Sequence, residues 1–226
     1  MNIDILLGKT VEHLIEIEGT KTLVHKQMFS DFLRLQRDAA QEGLDLQIAS
    51  AFRDYNRQLG IWNAKSRGER VLLDKNEKPL EFSTLSSDEI IFSILRWSAL
   101  PGSSRHHWGT DVDIYDGKTQ RREDVKLMTS ECIDGGPAAR LHQWLDDRMN
   151  MNEAYGFFRP YKTERDGIAP EQWHISYLPI ARRMADNFTF IVFKKNIELS
   201  DMNLKNEVLN HAEEIYRRFV MNFDLP

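Results

Sequence analysis

The chain has 226 residues, 41% hydrophobic and 10% aromatic, enough to bury a substantial core and too apolar for disorder to dominate. Its 30 basic residues are dispersed among 35 acidic ones, for a net charge of -5. That leaves no general attraction for phosphate backbones or anionic lipid, so no nucleic-acid partner is expected.

The opening stretch MNIDILLGKTVEHLIEIEG lacks a basic segment followed by an apolar run, and no stretch approaches the ~18 apolar residues of a membrane helix. No membrane span is expected; as written the chain reads as cytoplasmic, or periplasmic if its numbering begins after processing. From Thr22 to Ala40, apolar residues Leu23, Met28, Phe29, Phe32, Leu33, Leu35 and Ala39 fall mostly at helical spacing, with Gly43 placed for a C-cap. The spacing predicts a helix there. LDLQIAS alternates like a half-buried strand and FRDYNRQLGIWNAK after it reads as helix, so Ser50 and Arg53 arrive at a strand-to-helix corner.

Residues 66 to 86 are charged and turn-rich, which predicts a mobile or peripheral connection with a short hairpin around DKNEK. SSDEIIFSILRWSAL then reads as a helix with an N-cap signal at Ser87 and acidic residues in its first turn. VDIY is a short strand, and GGPAARLHQWLDDRM a helix with Pro137 near its first turn. YGFFRPY and WHISYLP are β-type segments, TFIVF a further strand, and residues 204 to 219 an amphipathic helix. With no repeat and no regular strand-helix-strand rhythm, the expected class is α+β: a small, mainly antiparallel sheet flanked by helices. A single domain over residues 1–226 is expected, with an insertion at 66–98 and a C-terminal strand-helix extension at 186–226.

Two polar islands carry the chemistry. PGSSRHHWGTDVD offers His106, His107, Asp111 and Asp113 around Gly109, which lets the backbone fold so that His106 and Asp113 converge. PEQWHIS supplies Glu171 and His174. A hydrolytic zinc site needs three such ligands and one open position. Cys132 is the only cysteine, which excludes an internal disulfide and leaves histidine, carboxylate or carbonyl to hold any metal. A histidine pair alone is most often a loop feature, and His13, His25, His142 and His211 lack matching partners and read as structural.

The pattern Ser-x-His-x-x-Gly-x-Ala-x-Asp followed by Glu-x-Trp-His is met here by Ser104, His106, Gly109 and Asp113, then Glu171, Trp173 and His174. The upstream SAFRDYNRQ adds Ser50, Arg53 and Gln58. The chain thus resembles the zinc D-alanyl-D-alanine carboxypeptidase and dipeptidase family, whose fold is shared with the Hedgehog signalling domain; the resemblance covers roughly residues 44 to 180. It implies that His106, Asp113 and His174 hold zinc, that Glu171 is the general base, and that Arg53 pairs with an oxyanion or a terminal carboxylate. Ser50, Gln58, Ser104, His107 and Trp173 are expected to serve substrate binding, His107 alternatively as pocket wall. The implied substrate is a peptidoglycan-derived stem peptide ending in D-alanine; endopeptidase action, or a zinc-stabilised binding module without turnover, are the rival expectations. The chain departs from the pattern at Asp111, where the family has alanine. Such a carboxylate can turn outward, bond a ligand's far ring nitrogen, or compete for the metal. In an ideal strand Glu171 and His174 would face opposite ways, so a bend after Pro170 is expected.

Overall fold

The computed structural model describes residues 1–225. Helix α1 (Ile3–Leu6) leads into a hairpin of β1 (Leu14–Glu16) and β2 (Leu23–His25), paired antiparallel with Ile15 opposite Val24. The long helix predicted from Thr22 therefore begins only at α2 (Phe29–Gln41). Leu23, Val24 and His25 instead satisfy their backbone in the hairpin, and His25 donates onward to the Gly109 carbonyl at 2.7 Å. α2 buries Phe32, Leu35 and Ala39, and its 13 residues end two positions before Gly43, whose φ of +75° closes the turn after the Glu42 cap.

β3 (Leu46–Ser50) follows, then α3 (Tyr55–Ser66), capped by Asp54, whose carboxylate accepts from the Arg57 amide at 2.8 Å. The connection after α3 includes the predicted hairpin: Leu73 bridges Pro79, and the Asp74 carboxylate accepts from the amides of Asn76 and Lys78. α4 (Ser87–Trp97) starts one residue earlier than its signal suggested, because Ser86 is the cap in a reciprocal box with Glu89.

β4 (Asp111–Asp116) is the central strand; its odd positions from Asp111 face the site, while Val112 and Ile114 sink into the core. α5 (Thr129–Cys132) and α6 (Ala139–Asn150) lead to β5 (Phe157–Phe158) and β6 (His174–Tyr177). The four-stranded sheet has the order β3-β4-β6-β5, with the pairs β3-β4, β4-β6 and β6-β5 all antiparallel. Its register sets Ser50, Asp113 and His174 in one row across three strands, beside a bulge in β3.

The tail departs from expectation. TFIVF is not a strand: α7 (Leu178–Asn187) is followed by α8 (Phe190–Glu198), capped by Thr189, so the C-terminal extension begins helical. The β-branched run yields because helical spacing drops Phe193 and Ile197 into the core together. The expected helix over 204–219 is broken into α9 (Lys205–Asn210), α10 (Ala212–Ile215) and a π-helical turn at Tyr216–Val220. One hydrophobic cluster runs from Leu6 through Trp62, Ile114 and Ile175 to Phe219. Among the described residues no helix is long and apolar enough to cross a membrane.

Candidate active site

Three elements deliver three donors. A tight turn at Arg105–Trp108, closed by Gly109 in the left-handed region at φ +68°, presents His106. β4 presents Asp113, and β6 presents His174 as its cross-strand neighbour. One ligand atom from each lies within 4.8 Å of the others, and all three side chains are buried.

The ring nitrogens are assigned by what holds their far sides. His106 Nδ1 is 3.0 Å from the Ala51 carbonyl, so it carries the proton and leaves Nε2 free, 3.4 Å from Asp113 Oδ2. His174 is turned the other way: Nε2 faces Asp111 Oδ1 at 3.0 Å, and Nδ1 stands 3.6 Å from Asp113 Oδ1. Burial pushes Asp113 upward, but His106, His174 and Arg53 more than offset it and hold its carboxyl below the usual range. Burial likewise disfavours a charged His174, yet Asp111 and Glu171 carry it to about 10. So many buried carboxylates around one ring demand positive charge, which a proton or a divalent cation can supply. Two imidazoles and a carboxylate are donors that can hold such a cation.

Glu171 sits in the expected bend. The His174 amide donates to the Glu171 carbonyl at 3.2 Å, a turn that brings Glu171 Oε2 to 3.1 Å from His174 Nδ1 despite their odd separation. Arg53 follows the β3 corner, its amide donating to the His106 carbonyl at 3.3 Å. Its Nη1 donates to Gln58 Oε1 at 2.9 Å and its Nη2 approaches Ser50 Oγ at 3.5 Å, leaving Nε buried without a partner. Burial lowers the Arg53 pKa, opposed by the charges of Asp113 and Glu171.

His106, Asp113, His174, Glu171 and Arg53 line one cleft of about 260 Å³, walled also by Ser104, Trp173, Leu73, Trp97, Leu127 and Tyr161, whereas Ser50, Gln58 and His107 lie outside it. These three correct the expectation of substrate contact. Gln58 is fully buried and spends its amide on Ser98 and the Ala99 carbonyl while its oxygen holds Arg53. His107 is fully buried, Nδ1 against the Arg53 carbonyl and Nε2 accepting from the Gly102 amide, and burial drives its pKa down to about 3. It locks the Arg53 corner to the His106 turn. Ser50 stands behind Arg53.

Sequence reasoning passed over Tyr161 and Arg105. Tyr161 packs edge-on against the His174 ring at 5.0 Å, and its carbonyl takes the Glu171 amide at 2.8 Å. Arg105 is buried and paired with Asp111 at 2.8 Å. Neither stands out by its spacing: Tyr161 meets His174 and Glu171 from another segment, and Arg105 joins nearby Asp111 to Ser176, 71 residues on.

Comparison with known proteins identifies the fold and the family. The family described as VanY, D-alanyl-D-alanine carboxypeptidase, matches residues 21–180. An uncharacterised protein of Haemophilus influenzae is 42% identical over 100 residues, 43% of this chain and 68% of the relative. A D-alanyl-D-alanine carboxypeptidase of Enterococcus faecalis is 24% identical over 160 residues, covering 66% of this chain and 53% of that enzyme. Among solved structures, VanYB in complex with D-alanine-D-alanine superposes with a TM-score of 0.52 at 22% identity, over 76% of this chain and 81% of that one. A vancomycin-resistance D,D-pentapeptidase VanY variant in complex with Zn(II) gives 0.51 at 22% identity, over 77% of this chain and 86% of that one. At such identities the superpositions establish a shared fold. With the family match spanning most of its length, the chain belongs to the VanY D-alanyl-D-alanine carboxypeptidase family of peptidases.

Proposed function

We propose that the protein is a zinc-dependent peptidase that hydrolyses a peptide bond next to a D-amino acid, releasing terminal D-alanine from peptidoglycan stem peptides. The observation that carries this is the convergence of His106, Asp113 and His174 in one cleft with Glu171 and Arg53. Donors about 2.0–2.1 Å from a tetrahedral zinc lie roughly 3.3–3.4 Å apart. The two histidines approach opposite oxygens of Asp113 at 3.4 and 3.6 Å, and one ligand atom from each of the three residues lies within 4.8 Å of the others, close enough for a single ion to gather them. The Zn(II)-bound relative and the VanYB complex with D-alanine-D-alanine support the same reading.

Zinc bound there supplies Lewis acidity and brings a water's pKa toward about 7. Glu171, with its carboxylate beside the donor set, takes the proton of the attacking water and returns it to the departing amine. Arg53 offers its free N–H groups to the developing oxyanion or the substrate's terminal carboxylate, a planar, charge-assisted pairing. Trp97, Leu127 and Trp173 supply apolar wall to the cleft.

Metal analysis combined with a D-Ala-D-Ala peptide assay tests this. We expect about one zinc per wild-type chain, loss of metal and activity in His174→Ala, and retained metal with a 10²–10⁴-fold lower kcat in Glu171→Gln. Zinc-loaded wild type that releases no D-alanine from a broad muropeptide panel would refute the proposal.

A further inference from the structure

We infer that Asp111, where the family pattern carries alanine, is a positioning residue for the metal centre: together with Arg105 it fixes the ring of His174 so that Nδ1 is the donor. The inference rests on the zinc reading above. Asp111 and Asp113 share one face of β4, two residues apart; Asp111 is paired across the sheet with Ser176 and lies diagonally from His174. It is completely buried.

Its four hydrogen bonds use the full capacity of a carboxylate. Oδ1 takes His174 Nε2 at 3.0 Å and Arg105 Nε at 2.8 Å; Oδ2 takes Thr110 Oγ1 at 2.7 Å and Ser176 Oγ at 3.0 Å. No lone pair remains directed at the donor set, which removes Asp111 as a competing ligand. Accepting at Nε2 requires the proton to sit there, so the neutral ring keeps its lone pair on Nδ1, the nitrogen that faces Asp113 and Glu171.

Arg105 makes this carboxylate tolerable in the interior. Its Nη2 donates to Ser176 Oγ at 2.7 Å, and its guanidinium lies against the rings of Trp108 at 4.9 Å and Phe223 at 4.6 Å. Alanine at position 111 would strand that cation, so the departure from the pattern and the buried arginine form one device.

The test compares wild type, Asp111→Asn and the double variant Asp111→Ala/Arg105→Met, which removes both buried charges together. Zinc affinity is read by chelator competition, and the His174 ring by long-range 1H–15N NMR of the zinc-loaded protein. In wild type we expect an Nε2–H slow to exchange and a zinc-shifted Nδ1. The double variant is expected to bind zinc about 10–100-fold more weakly and to lose the protected Nε2–H. Zinc-binding wild type beside a folded double variant with affinity within threefold and an unaltered His174 spectrum overturns the inference alone; wild type that takes up no zinc overturns the underlying reading as well. Should the double variant not fold, the near-isosteric Asp111→Asn decides: about 10-fold weaker zinc supports the inference, and unchanged affinity overturns it.

Discussion

Arg53 is held at both ends of its fork, by Gln58 and Ser50, with its backbone tied to His106. A lysine gathers its donors on one nitrogen and lacks the planar fork needed to span those contacts and still meet a substrate oxygen. Arg53→Lys is therefore expected to cost on the order of 2.7–4 kcal/mol of transition-state stabilisation, read as a 10²–10³-fold fall in kcat/KM at unchanged metal content. A different residue contributes to the acid sensitivity of the fold. His142 is buried on α6 beside Arg159, with Nε2 unpartnered; burial first and Arg159 second lower its pKa to about 3. Between about pH 6.5 and that value the unfolded chain binds the proton and the folded chain does not. Stability then rises with pH through the window and is lost on acidification, by about 1.4 kcal/mol per pH unit for one such group. Urea denaturation of wild type and His142→Leu between pH 4 and 7 checks this: the variant should show a shallower dependence.

The elements locate the site through register and through one turn. In the sheet, pairing Asp113 with both Ser50 and His174 aligns groups that are 61 and 63 residues apart in sequence, counted from positions 50, 113 and 174. The turn that brings His106 alongside depends on Gly109. A Cβ there would come 2.3 Å from Leu14 and 3.0 Å from the His25 amide, and φ is +68°. Gly109→Ala must both strain the backbone and lift the β1–β2 hairpin from the site. We expect about 1–3 kcal/mol of destabilisation, visible as a lower Tm, together with weaker metal binding. The same hairpin shows why local pattern was misread: Ile15-Glu16-Ile17-Glu18-Gly19 alternates and then turns, a strand signal, but Leu23 also fits the helical stripe that continues through Phe29 and Phe32. Short apolar runs satisfy both periods, and only the partner strand decides.

Across the whole molecule, the C-terminal residues reach back to the loop that carries Glu171. The Asp224 carboxylate accepts from the amides of Lys162 and Thr163 at 3.0 Å, from Thr163 Oγ1 at 2.9 Å and from Arg165 at 3.0 Å, while its own amide donates to the Pro160 carbonyl at 2.8 Å. Arg218 bonds Asp166, and Phe223 packs on Arg105. From the other side Arg96 on α4 holds the Gly167 carbonyl and takes Ala169 on its own carbonyl. The loop is thus clamped between two distant parts of the chain. Asp224→Ala, which removes bonds worth about 1 kcal/mol apiece, should lower kcat/KM roughly tenfold with zinc content unchanged and raise hydrogen exchange over residues 161–171.

The candidate site residues His106, Asp113, Glu171 and His174 could be named from the sequence through the family resemblance that their two motifs carry, since spacing alone does not say whether the motifs converge. The α+β class was legible because signals such as the Gly43 turn, and the helix start placed within one residue of its cap at Ser86, act over a few residues. Which nitrogen of each histidine faces inward, whether Gln58 and His107 meet substrate or brace Arg53, and how Asp111 meets His174 depend on contacts made across 40 or more positions, where sequence spacing carries no geometric information. The fate of TFIVF belongs there too. Its intrinsic preference of about 1 kcal/mol for strand is smaller than the gain from burying Phe193 and Ile197 against the shared core, so the tertiary fold, and not the local run, made it a helix.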